Sequence, residues 1–358
     1  MKIARVAVPV LLVAFACDHP TPPEPVDYPP QGPFDTAAPR RLTFSPGEDL
    51  APAWLPDGSA IIYQFEHLDQ PDGDRCLAIL PAGGGTQEAE ICTSGVASDD
   101  STDAYGEPAV SGAGRLFFTR ASALTRLQNA APAYQSAAVV PLATPAAVQG
   151  VRTLPYTVNG HLHYGITQAR WLGDTAVVYV AQFVAYLTGC FGCNIDTLRT
   201  GIELAQMDLK SAPGTVTVLP GTDSASSVAL SGGDTLYYTV DGDSRVFRRT
   251  LAGGDTAVWD FGAAGIARDV QVRGTKLYAV VGGAVLYYHD PSLGPVQRDT
   301  GGAIHVVDLG LATDTALSLG LRRYRRIALS PDGKHLVAEG YEVGVPNPHA
   351  DLWLIDVP

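Results

Sequence analysis

Histidines 161 and 163 alternate within an apolar run, so on a β-strand both imidazoles would leave the same face as a two-ligand edge for a transition metal. Two donors do not complete a site, and His67, His289, His305, His335 and His349 are scattered along the chain. The expectation is no cofactor, with His161 and His163 as the weak metal candidates. Cys76, Cys92, Cys190 and Cys193 form an even set, which in an oxidising compartment points to disulfides. The economical pairing, one of three, joins Cys76 to Cys92 and Cys190 to Cys193. Redox chemistry at Cys190-Phe191-Gly192-Cys193 would need a helix N-terminus to stabilise a thiolate. Its flanks, Tyr186 to Gly189 and Asn194 to Asp196, read instead as a hairpin tip.

Other chemistries lack their motifs. There is no G-x-S-x-G elbow for a hydrolytic serine, and Gly83-Gly84-Gly85 follows a strand without opening a helix, so it reads as a turn rather than a phosphate cradle. Asp69 to Asp74 and Asp241 to Ser244 carry fragments of a calcium loop without its ligand spacing and closing glutamate, as solvated hairpin turns do. No catalytic residue is assigned. A formal charge of −13 and a pI near 4.9 repel phosphate backbones, which argues against nucleic acid and anionic lipid faces as partners.

The elements that would position these residues are short strands. Charged residues are 17% of the 358, while 38 glycines and 27 prolines favour tight turns over long helices. From Arg41 onward, apolar alternations are broken by Gly, Asp and Pro, as in a strand meander. A repeat is visible: Ala53-Trp54-Leu55-Pro56-Asp57-Gly58 and the strand to Tyr63 return as Ile327-Ala328-Leu329-Ser330-Pro331-Asp332-Gly333 and the strand to Val337. In each, proline presets φ (Pro56, Pro331), the carboxylate caps the turn (Asp57, Asp332) and glycine takes the left-handed position (Gly58, Gly333). Weaker copies span Pro108–Phe118, Ala169–Tyr179, Val228–Tyr238 and Asp269–Ala279. Trp54, Trp171, Trp259 and Trp353 fall on these strands and read as core between repeats.

These repeats, with the closing Asp351-Leu352-Trp353-Leu354-Ile355-Asp356-Val357, resemble the TolB-like and WD40-like (PD40-type) propeller repeats. The resemblance implies an all-β fold, a six-bladed β-propeller over residues 41–358. A propeller ring must close on itself, and the family pattern assigns Arg41 to Phe44 as the strand that completes the last blade against Leu352 to Val357. It further implies a non-enzymatic scaffold that binds an envelope protein or small ligand on a propeller face, acting as a monomer. The alternative is a metal-dependent propeller enzyme, lyase or hydrolase, acting on an envelope or extracellular carbohydrate.

The N-terminus has the plan of a signal peptide over residues 1–16, with Lys2 and Arg5 ahead of the apolar run Val6 to Ala16. Ala14-Phe15-Ala16-Cys17 resembles the lipobox of bacterial lipoproteins, although Leu is usual at Ala14 and a small residue at Phe15. That resemblance implies lipidation of Cys17. The stretch to Arg40 is rich in proline, an extended spacer with little to bury, so residues 17–40 read as a tether. The expected location is the bacterial cell envelope, lipid-anchored to the inner or outer membrane facing the periplasm, or the cell surface, with the lipid as sole membrane contact.

Overall fold

A computed structural model describes residues 39–358 except 46, 67–74, 88, 92–100, 125–133, 144–148, 187–197, 211–212, 284–285, 291–293, 299–300, 318, 321 and 344–348. Among them the single helical element is a 3-10 turn at Gly262–Ala264, and no helix is long and apolar enough to cross a membrane. Cys17, Cys92, Cys190, Cys193, His67 and the turn Asp69 to Asp74 lie outside the described residues.

Among the described residues the strands form five hydrogen-bonded sheets and run in chain order as successive meanders; the first two meanders share one sheet through a parallel pairing of Arg75 with Ala104, and the last two share another through Gly302 and Tyr324. After the short β1 (Arg40–Arg41), the first contains β2 (Asp49–Trp54), β3 (Ala60–Glu66), β4 (Arg75–Pro81) and β5 (Ala89–Ile91). The second contains β6 (Ser101–Val110), β7 (Arg115–Leu124), β8 (Tyr134–Pro141) and β9 (Gln149–Leu154). The third opens with β11 (His161–Leu172) and continues through β12 (Ala176–Tyr186), β13 (Leu198–Asp208) and β14 (Thr215–Val218), with the short β10 (Tyr156–Val158) paired to β11 at the sheet edge. The fourth contains β15 (Ala225–Leu230), β16 (Thr235–Val240), β17 (Arg245–Thr250) and β18 (Gly253–Asp260). The fifth starts with β19 (Ile266–Arg273) and β20 (Lys276–Gly282), and a separate hairpin follows, β21 (Leu286–Asp290) with β22 (Gly294–Arg298). It resumes with β23 (Gly302–Asp308) and β24 (Thr313–Ala316), and the sixth contains β25 (Arg322–Leu329), β26 (His335–Glu342) and β27 (Asp351–Asp356).

The sequence repeats form the first hairpin of each meander. In the turn after β2, Gly58 has φ +72° and its N–H donates to Leu55 O at 2.9 Å, while Asp57 Oδ1 accepts the Ser59 N–H at 3.0 Å. The turn after β25 repeats this, with Gly333 at φ +75°, its N–H on Ser330 O at 2.9 Å, and Asp332 Oδ1 accepting the Lys334 N–H at 3.1 Å.

Apolar layers fill the spaces between successive meanders. Phe117, Val139, Tyr179 and Met207 lie between the second and third, and Trp54, Ile61, Val337 and Leu352 between the sixth and first. Such sheets are covered on both faces, which is why β12 reads as a continuous apolar run (Ala176-Val177-Val178-Tyr179-Val180-Ala181). The first and last described strands meet in one sheet: β1 is antiparallel to β27, with Arg40 opposite Leu354 and Arg41 opposite Trp353, and the Leu42 N–H donates to Leu352 O at 2.7 Å. The strands that open the meanders also touch in series, β2 with β6, β6 with β11, β11 with β15, β15 with β19, β19 with β25, and β25 with β2.

Candidate functional site

Each opening strand carries a register shift against its hairpin partner, between Leu50 and Ala53, Gly106 and Ala109, Thr167 and Arg170, Ala225 and Ser227, Ala267 and Asp269, and Tyr324 and Arg326. A β-bulge adds a residue and re-aims a side chain. One residue from inside each shift, Ala51, Glu107, Gln168, Ser226, Arg268 and Arg325 in turn, lines a single cavity of about 530 Å³. Ala51, Glu107 and Gln168 hold positive φ (50°, 53° and 56°), a conformation that L residues adopt only where surrounding structure enforces it.

Carboxylates from other strands satisfy the amides that the bulges free. Glu339 Oε2 accepts the Ala51 N–H, Glu107 Oε2 accepts the Gln168 N–H, and Asp269 Oδ2 accepts the Ile327 N–H, each at 2.8 Å. Glu107 also takes Arg326 Nη1 on both oxygens at 2.7 Å, which ties β6 to β25 across a sequence separation of 219 residues. Asp269 is fully buried; that burial pushes its carboxyl up to about 6, opposed by the Arg170 charge and the Ile327 N–H. Burial pulls Arg326 down, but the carboxylates of Glu107, Glu339 and Asp269 more than offset it and hold the guanidinium above its usual value.

The lining is polar and charged, with Arg75, Arg268, Arg325 and Arg326 against Glu107, Asp241 and Glu339. Burial lowers Arg268 from its ordinary value, with Asp241 opposing, so its cation is poorly solvated there. Toward the C-terminal ends of the same strands lies a less polar cavity of about 260 Å³, lined by Pro52, Trp54, Pro108 and Trp171. The indoles stitch neighbouring meanders together: Trp54 Nε1 donates to Ala328 O at 3.0 Å and Trp171 Nε1 to Ala109 O at 2.8 Å.

His161 and His163, at the start of β11, are joined by a third group that the sequence reading passed over, Glu203 on β13. His161 Nδ1 lies 3.0 Å from both Glu203 oxygens, and His163 Nε2 lies 2.8 Å from Oε1. The His163 side chain is fully buried, Glu203 is 2% exposed and His161 26%. Burial raises the Glu203 carboxyl, but hydrogen bonds from His163 and His161 outweigh it and leave the group below its ordinary value. Alternation along β13 contains the missed signal: Glu203 shares a face with Ala205 and Met207, both fully buried, and a carboxylate on such a face needs a partner.

The other described candidates lie apart from this cluster. Cys76 is buried on β4 opposite Phe65. His305 pairs with Asp314 at 3.0 Å and His335 with Asp356 at 2.7 Å, each within its own meander. In the turn from Asp241 to Ser244, Arg245 Nη2 binds Asp243 at 2.6 Å, an ordinary capped hairpin turn. Pro56 and Pro331 border the cavities near the repeat turns.

No protein-family model matches the chain, and no curated protein matches its sequence. Solved structures do match in fold. A gluconolactonase from Xanthomonas campestris aligns at 13% identity and TM-score 0.54, covering 92% of this chain and 99% of that one. The calcium-binding protein regucalcin from Agrobacterium tumefaciens aligns at 14% and TM-score 0.53, covering 89% and 93%. The chain has a β-propeller-type fold. TolB from Acinetobacter baumannii is also similar, at 14% identity and TM-score 0.48; the alignment covers 86% of this chain and 63% of TolB's. Propellers of this kind include both enzymes and binding proteins, so the fold does not choose between the two.

Proposed function

We propose that the chain is a recognition scaffold, a six-bladed propeller closed by β1 on the last blade, that takes a polar, acid-bearing ligand or protein segment into its central cavity. The observation that carries the reading is the bulge in each opening strand, because these bulges turn Ala51, Glu107, Gln168, Ser226, Arg268 and Arg325 toward one 530 Å³ space. The serial contacts from β2 round to β25 and back to β2, and the pairing of β1 with β27, support six blades and closure. Arg268, whose cation burial leaves poorly solvated, favours an anionic group over a neutral one.

The scaffold is exported, held at the envelope by a lipid on Cys17 and a proline-rich tether over residues 17–40, with residues 1–16 removed. The support for this part is the basic, apolar and cysteine pattern of the N-terminus. Its partner is an envelope protein or ligand, and the chain acts without catalysing a reaction.

A photo-crosslinking side chain placed at Ser226, in the cavity, and at Thr315, on the exposed strand β24, tests the reading in native membranes. The expected result is an adduct from position 226 that Arg268→Ala suppresses and that position 315 does not give. Equal adducts from both positions would overturn it. Labelling with radioactive palmitate that survives in Cys17→Ser would overturn the anchor.

A further inference from the structure

We infer that His161, His163 and Glu203 form a binding site for a zinc-type divalent transition metal, set between the second and third meanders and separate from the central cavity. Ile202 and Gln182 line that cavity, and strand alternation turns Glu203 to the opposite face of the sheet. The inference therefore does not rest on the proposed recognition function.

Three observations carry it. The first is convergence: one ring nitrogen of each histidine and one carboxylate oxygen lie within 4.8 Å of one another. Two imidazoles and a carboxylate are a zinc donor set with a fourth position left for water. Donors in a tetrahedral zinc site stand about 3.4 Å apart, from metal–ligand distances of about 2.1 Å. The present separations of 2.8 and 3.0 Å need to widen by only a few tenths of an ångström.

The second is rigidity. All three residues sit on paired strands, with His163 opposite Phe183 and Glu203 opposite Ala181 on β12. The His161 ring stacks on Phe183 with centroids 4.0 Å apart and planes 2° apart. Gly201 makes room for that phenyl ring, since a Cβ there would stand 2.6 Å from Phe183 Cζ.

The third is the outer contact of His163. Its Nδ1 lies 3.3 Å from the Tyr156 hydroxyl, which is hydrogen-bonded in turn to Tyr179. Metal-bound histidines characteristically donate their remaining ring N–H to an outer acceptor. When Nε2 binds the cation, the ring proton moves to Nδ1 and the Tyr156 oxygen accepts it, while Tyr156 donates to Tyr179. His161 shifts its proton likewise, from the Nδ1 that faces Glu203 to Nε2, so that Nδ1 binds the ion; Glu203 binds as the carboxylate, and no redox change is involved. The 26% exposure of His161 gives the ion and its water a path from solvent.

The test uses the folded chain after chelation, titrated with zinc chloride in a calorimeter and with cobalt(II) followed by visible absorption. Expected are one zinc per chain with a Kd on the order of 1 µM or tighter, and intense tetrahedral-type cobalt bands. Glu203→Gln and His163→Asn should each weaken zinc by about 100-fold or more, and Tyr156→Phe by about 10-fold. His335→Asn, at a surface histidine–carboxylate pair, should leave zinc affinity unchanged. The inference is overturned if wild-type protein gives no tetrahedral cobalt bands, or if zinc binding is insensitive to Glu203→Gln. A hydrogen-bonded triad with a purely structural role would give that result. Should a variant fail to fold, the cobalt spectrum of the wild type still decides.

Discussion

Arg41 Nη2 donates to Asp351 Oδ1 at 2.8 Å, joining two residues 310 positions apart in sequence. Around this pair the first and last described strands share a sheet: β1 lies on β27, the Asp49 N–H donates to Ala350 O at 2.8 Å, and Thr43 Oγ1 accepts the Leu352 N–H at 2.9 Å. Removing the strand would leave an unpaired edge on β27 and expose the apolar layer that includes Leu42 and Leu354. A chain starting at residue 47 should therefore unfold at clearly lower urea than one starting at residue 36. The single change Arg41→Ala, at a pair whose arginine is 33% exposed, should cost only about 1 kcal/mol. Equal midpoints for the two truncated chains would contradict the closure model.

The same junction predicts an unusual pH dependence. Burial pushes Asp49 up to about 7, and also pushes Asp351 up to about 6 against the pull of Arg41. In the unfolded chain both titrate near the ordinary aspartate value of 3.8. A carboxyl raised on folding stabilises most when both states are protonated; that contribution is lost as pH rises from about 4 through the folded value. Between pH 5 and 7.5, Asp49→Asn, which mimics the protonated form, should flatten the slope of stability against pH and raise stability most at the upper end. Chemical denaturation of both proteins at several pH values reads this directly, and parallel curves would refute it.

Much of the fold was legible because each opening hairpin encodes its own turn. Pro56-Asp57-Gly58 and Pro331-Asp332-Gly333 each preset one dihedral, cap one amide and permit one positive φ, all within a few residues. The cavity was not legible, and the bulges explain why. Face assignment in a strand relies on a period of two, and one inserted residue reverses it, so Glu107 and Arg326 could not be placed by counting. A sign was nevertheless present. Three residues before Trp54, Val110, Trp171 and Leu329 stand Ala51, Glu107, Gln168 and Arg326, polar in three of four cases. Glu203 was missed for a different reason, since its partners lie two strands and 40 or more residues away, and only the registers of β11, β12 and β13 bring them together.

Glu107 gives a test of the bulge network. It accepts both the Gln168 N–H and Arg326, so Glu107→Ala frees an amide and a guanidinium together. For a fully buried pair the loss would be about 3 to 5 kcal/mol. The Arg326 side chain is 26% exposed, so water recovers part of it, and about 2 kcal/mol is expected. The double variant Glu107→Ala with Arg326→Met should recover stability relative to the single one, because it removes the unpaired cation. A double variant no more stable than Glu107→Ala would mean that the pair does not couple β6 to β25 energetically.

The indole bonds between meanders are independent of that network. Trp54 and Trp171 donate to carbonyls at Ala328 and Ala109, on the opening strands of adjoining meanders. Replacing either with phenylalanine retains a ring but leaves the carbonyl without its donor, at a cost of about 1 to 2 kcal/mol each including lost contact area. Both indoles line the same small cavity, so the double variant should depart from the sum of the two single losses, and strict additivity would show that the two bonds act independently.

Cys76 supplies the last test. Leu77, the residue after it, faces Ile91, and Ile91 immediately precedes Cys92, so two described neighbours lie directly opposite each other across the β4–β5 ladder. Antiparallel neighbours at this spacing suit a disulfide's short Cβ separation. Closing a loop of this length stabilises mainly by restricting the unfolded chain, by about 3 kcal/mol. Non-reducing peptide mapping should recover the segments carrying Cys76 and Cys92 as one linked species, and reduction should lower the melting midpoint. Free thiol labelling of Cys76 in the native, oxidised protein would refute the pairing, and recovery of Cys76 linked to Cys190 or Cys193 would replace it with another of the three connectivities.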